Sequence, residues 1–168
     1  MRLYPLAARL AELLARAVAL LGGIVLLGVM GLTTVSVIGR AISWSGPVPG
    51  DFELVEIGVG FAVFCALPWC HLNRGHARVD LFQPMLGGRL NRVIDVLADL
   101  VMLGAAVLIA WRLWEGMLDK RAYGETTFIL QLPLWQAYAA CVLGAAAFVL
   151  VAAFAIWRSI RALRGNAA

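Results

Sequence analysis

The sequence predicts an all-α integral membrane protein of four transmembrane helices. Three observations lead there. Residues 17–39 form a run of 23 without one charged side chain, three more hydrophobic segments follow within 168 residues, and 62% of the chain is hydrophobic against 14% charged, with mean hydropathy +0.88. In hydrocarbon every backbone amide must find an internal partner, so such a run satisfies itself only as a spanning helix or in a closed barrel, and no alternating ten-residue barrel pattern is visible. A single four-helix membrane domain over residues 1–168 leaves no segment long enough for a soluble catalytic domain, so no enzyme is expected.

The first span is expected at about 13–42. Arg2, Arg9, Glu12 and Arg16 precede it in the manner of a signal peptide, but the apolar run is too long and no small-residue cleavage site follows, which favours an uncleaved first helix. The second span, about 52–72, carries Glu53 and Glu56 at its start and Pro68 within it, and is uncharged only over 57–73. Those residues reach about 25 Å as a helix, enough for a thin bilayer core. Between the second and third spans, Leu81, Phe82, Met85, Leu86 and Leu90 would gather on one side of a short interfacial helical segment, interrupted by Pro84, Gly87 and Gly88. The third span, about 89–118, is amphipathic at its start, where Arg92, Asp95 and Asp99 lie. The fourth, about 134–163, is Ala-rich over 145–155 and reads as a close-packing face. Ala19 with Gly23 and Ala140 with Gly144 have the small-xxx-small spacing, and Gly58 and Gly60 thin the second helix.

Charge sets the orientation. Ten of the fourteen Arg and Lys residues fall before the first span, between the second and third, or after the fourth; Arg40, Arg112, Lys120 and Arg121 fall in the other two loops. The positive-inside rule therefore places both termini and the second loop in the cytoplasm. Trp44, Trp111, Trp114 and Trp135 would then mark the outer interface, with Trp69 and Trp157 at the inner one. The basic balance is a topology signal of helix ends and short loops, and no nucleic-acid partner is expected. Cys65, Cys70 and Cys141 lie in apolar segments without Cys-x-x-Cys spacing and read as small hydrophobes, with neither a disulfide nor a metal expected.

Four groups of residues could carry chemistry. Glu53 and Glu56 share a face at the start of the second helix, continued by Gly60; they read as cation or proton ligands, or as anchors meeting the positive end of the helix dipole. Asp95 and Asp99, four apart, read as a proton relay or as a structural contact, and Asp99 is expected to face protein. His71 and His76 are the only histidines. A haem b site normally takes imidazoles from two helices, whereas these lie at one end of one helix, so interface histidines are the default. In the stretch 73–82, Arg74 and Arg78 suit lipid phosphates, Asp80 suits an arginine or a helix cap, and Gly75 a tight helix exit.

Here the chain resembles a family, the small membrane (Q, DctQ-type) subunits of tripartite ATP-independent periplasmic (TRAP) transporters. The resemblance rests on the acidic helix start Gly50-Asp51-Phe52-Glu53-Leu54-Val55-Glu56, then Gly75-His76-Ala77-Arg78-Val79-Asp80, then Leu132-Pro133-Leu134-Trp135, together with length and four-span topology. Ala41 after Arg40 departs from the family pattern, which often has an aromatic residue there. The resemblance implies a brace in the bacterial inner membrane for a large M subunit, which holds the substrate and sodium sites for uptake of an organic acid. It implies no cofactor in this chain. Glu53, Glu56, Gly60, Arg74, His76, Arg78, Asp80, Asp95 and Asp99 would then be structural or M-subunit contacts. The loops at 43–52 and 115–131, with Arg40, Asp51, Glu115, Asp119, Lys120, Arg121 and Glu125, would help dock a periplasmic substrate-binding protein through salt-sensitive contacts, or be solvated charge. The competing reading from another class is a membrane anchor of a respiratory oxidoreductase; a third is a self-contained small exporter.

Overall fold

The structure is a computed structural model and describes residues 3–42, 46–75 and 87–164. Four helices are present: α1, Leu3–Ala41; α2, Asp51–Leu72; α3, Gly87–Tyr123; and α4, Leu134–Arg164. Each is long and apolar enough to cross a membrane. The expected interfacial segment and Trp44 lie largely or wholly outside the described residues.

Helix ends follow local chemistry. α1 starts about ten residues earlier than the expected span because Leu, Ala, Arg and Glu are good helix formers, and Pro5 sits in the first turn, where its missing N–H costs nothing. α3 continues five residues past the expected end, to Tyr123, and stops at Gly124, whose φ is +62°. Pro133 immediately precedes α4. At the end of α2 the left-handed residue is Arg74, φ +53°, not Gly75. The Gly75 N–H donates to the Cys70 carbonyl (2.8 Å) and the Arg74 N–H to that of His71 (3.0 Å), a Schellman closure. Gly75 keeps this exit tight, since a Cβ there would stand 3.3 Å from the Cys70 carbonyl oxygen and sulfur and press on them.

α4 is the hub. It packs along α3 and α2 and over a shorter length along α1, while α1 packs along α2; among the described residues no backbone approach within 8 Å joins α3 to α1 or α2. Accordingly 44% of the α4 span is enclosed, against 11% for α1 and α3. Small residues make this possible: Ala145, Ala147, Ala152 and Ala155 are buried around Phe148 and Val151. Pro68 of α2 is fully buried and removes the amide that would have bonded the Phe64 carbonyl. Gly144 of α4 lies against that same Phe64 backbone, where a Cβ would be 2.9 Å from the carbonyl carbon.

The glycine pattern is only partly as expected. Gly58 meets Val29 of α1 and Gly144 meets α2, but Gly23 and Gly60 face open space; the α1 glycine in the interface is Gly22, against Ala62 and Cys65. The three cysteines are free, with Cys65 buried. Thr33 and Thr34 donate to the carbonyls of Val29 and Met30, which satisfies their hydroxyls within α1.

Candidate functional site

Polar side chains collect at two levels. At one end, the loop end, α1 and α3 finish and α2 and α4 begin; the other, the terminal end, carries both chain termini.

At the loop end, Asp51 opens α2 and is buried. Its carboxylate accepts from the Ser36 hydroxyl and the Arg40 guanidinium, both from α1, and from the Phe52 N–H at 2.9 Å. Ser36 and Arg40 are four apart, so one face of α1 delivers both donors. The Arg40 guanidinium also lies 5.1 Å over the Phe52 ring. Two turns of chain are thus joined through one carboxylate, and its charge is neutralised within the protein.

Glu53 reaches across to the segment before α4. It accepts from the backbone N–H groups of Ile129 (2.7 Å) and Leu130 (3.0 Å). That segment is tightly tied: Thr126 and Pro133 form an isolated antiparallel bridge, the Thr127 N–H donates to the Leu132 carbonyl, and the Leu132 N–H returns a bond to the Thr127 hydroxyl. Gln131, at φ +54°, donates to the Phe128 carbonyl and accepts from Thr126. Leu130 fills the space where a Cβ on Gly50 would be. The product is a rigid turn whose tip, Phe128, is 95% exposed.

The long α3 corrects the expected outer loop. Glu115, Asp119, Lys120 and Arg121 lie on the helix, not in a 115–131 loop. Arg112 pairs with Glu115 (3.1 Å), Lys120 with Glu125 (2.6 Å), and Arg121 lies over Trp135 at 5.5 Å.

At the terminal end, three helices meet around Asp99 of α3. It is buried, accepts from the Ser159 hydroxyl of α4, and its other oxygen stands 3.8 Å from His71 Nε2 of α2. His71 packs edge-on against Phe148, with ring centroids 5.7 Å apart. Arg158 directs both terminal nitrogens to the Leu72 carbonyl, each at 3.2 Å, closing the C-terminus of α2 from α4. Arg74 pairs with Asp95 at 2.7 Å, so this arginine is engaged across the bundle. His76, Arg78 and Asp80 lie outside the described residues.

Toward the loop end α2 and α3 stand apart on either side of α4. Above α4 they leave a groove enclosing about 210 Å³, lined by Glu53, Glu56, Gly60, Leu113, Tyr138 and Cys141 among others. A second groove, apolar and about 550 Å³, separates the ends of α1 and α4 around Leu10, Leu14, Phe154 and Trp157. Sequence reading missed the partners of Asp51, Glu53 and Asp99, because each bond joins different helices or a helix to a distant turn. Only the Ser36/Arg40 spacing carried a local signal. Among the described residues no group of three or more His, Cys, Asp or Glu side chains is placed to hold a metal ion.

The fold and its polar groups define a four-helix protein able to cross a membrane four times, with side-chain clasps near the helix ends. The family model for tripartite ATP-independent periplasmic transporters, DctQ component, matches residues 29–162. The chain belongs to that family, which is one of small transporter subunits. No curated protein and no solved structure matches it.

Proposed function

We propose that this chain braces the large M subunit of a TRAP-type secondary transporter in the bacterial inner membrane, with both termini cytoplasmic, and helps dock the periplasmic binding protein. The observation that carries the reading is the family match over residues 29–162. Two features support the bracing role. The carboxylates of Asp51, Glu53 and Asp99 are committed to bonds that fix the helices, and broad apolar faces of α1 and α3 remain uncovered, including Leu20, Ile24 and Leu27 on one and Leu97, Val101 and Leu108 on the other. A static partner with committed polar groups gives a transport domain something to move against, while sodium coupling and organic-acid binding belong to the M subunit.

Docking of the binding protein is assigned to the loop end. The turn tip at Phe128, with Tyr123 and Ile129 also exposed, supplies a preorganised apolar contact, and Arg121, Asp119 and the Lys120–Glu125 pair surround it with charge. Asp51 is removed from this surface by its burial.

The test is mass spectrometry of what co-purifies with the chain, tagged at its native locus and extracted in mild detergent. A much larger multi-span membrane protein in equal amount is expected. A flavin, iron-sulfur or haem protein in its place would overturn the proposal and favour a respiratory anchor.

A further inference from the structure

The Glu56 carboxylate lines the groove between α2 and α3 above α4. It is exposed, five residues into α2, about 7.5 Å along the helix from Asp51. Its neighbours Asp51 and Glu53 are held by hydrogen bonds; among the described residues Glu56 has no such partner. A carboxylate on a spanning helix is costly in lipid and is normally met by a cation, a donor or water.

The surface around it has a period. Phe52, Glu56, Val59, Val63 and Ala66 are all exposed, with spacings of four, three, four and three. That is the seam spacing of one helix packed along another, extending over about 21 Å, with a single polar residue of the kind that fixes register. Gly60, beside Glu56 in the groove wall, has no atom within 4 Å of where its Cβ would be, so a large side chain from outside can descend there. An acyl chain could line the apolar positions but would leave the carboxylate unanswered.

We propose that this α2 seam and its groove seat a helix of the large membrane partner, which presents an arginine or lysine to Glu56. The inference rests on the bracing role above and adds the face, the helix and the chemistry of the contact. The occupant's cation lies at the level of Leu113 and Tyr138, and its apolar residues follow Val59 and Val63 toward the terminal end.

The test uses the complex purified from native membranes. Glu56→Lys is expected to lower recovery of the large subunit by at least about tenfold, with Glu56→Gln less severe and Glu12→Lys, exposed near the start of α1, without effect. Because Glu56→Lys could disturb the chain itself, a photo-crosslinking residue is placed at Val59 with Glu56 intact. It should join the large subunit far more often than the same residue at Leu108. If the large subunit co-purifies but ignores Glu56→Lys, if Val59 crosslinks no better than Leu108, or if Glu56→Lys removes only bound phosphatidylethanolamine, the seam proposal falls and the brace stands. If no large membrane protein co-purifies with the unaltered chain, both fall.

Discussion

Gly144 and Gly23 offer a controlled pair, since each is a glycine within a membrane-spanning helix and only one is in an interface. A Cβ on Gly144 would lie 2.9 Å from the Phe64 carbonyl carbon and 3.1 Å from its oxygen, whereas on Gly23 it would meet nothing within 4 Å. Ordinary carbon contacts sit at about 3.5–4.0 Å, so Gly144→Ala must push α4 from α2 by roughly 0.6–1 Å at their crossing. The obstruction is backbone and cannot rotate away. Overpacking of this kind costs about 1–3 kcal/mol. The helix-propensity gain of glycine to alanine, about 0.5–1 kcal/mol, is common to both variants and cancels in their difference. Gly144→Ala is therefore expected to be about 1–3 kcal/mol less stable than Gly23→Ala. Equilibrium unfolding of the purified chain in mixed micelles with dodecyl sulfate, followed by its six tryptophans, measures the difference. Equal stabilities within about 0.5 kcal/mol would refute the claim that the α2–α4 approach depends on a missing methyl group.

Three further outcomes are expected. Glu53→Gln should speed hydrogen exchange at the Ile129 and Leu130 amides by about tenfold or more, because a neutral amide offers one acceptor where the carboxylate offers two, while α3 amides keep their protection. Ser159→Ala should destabilise the chain by about 1–3 kcal/mol by leaving a buried Asp99 oxygen without its donor, and adding Asp99→Leu should recover part of that loss; a double variant less stable than Ser159→Ala would contradict the account. Phe128→Ser should leave the unfolding midpoint unchanged, since the ring is 95% exposed, yet weaken association of the binding protein with the complex; unchanged affinity would remove the turn tip from the docking surface.

The four spans were legible because hydropathy over some twenty residues is a local property, and their number did not depend on what each helix touches. Their ends were less so. Residues 3–12 are helical despite their charges, and 119–123 continue α3 beyond its apolar stretch, because helix formation needs only suitable residues and no breaker. Partner choice was beyond local reading. Glu53 looked like half of a pair with Glu56, yet one binds a turn 76 residues away and the other lines an open groove. Likewise the spacing that singled out Gly23 gave no sign of Gly22, since the helix rotation that puts Gly22 against Cys65 is set by α2 and not by α1.

The place of α4 at the hub bears on how the chain is made. α1 and α2 contact each other directly and can pair as soon as both have entered the bilayer, whereas α3 finds its close backbone packing on α4 and meets the end of α2 only through side chains. Synthesis runs from the amino terminus, so α3 is made before Ser159 of α4 exists to donate to Asp99, with only His71 of α2 beside that carboxylate. During that interval the third helix depends on the insertion machinery or on a partner already in the membrane. A chain arrested with α3 already in the bilayer and α4 still within the ribosome should therefore hold α3 beside the insertase, and its release should wait on α4.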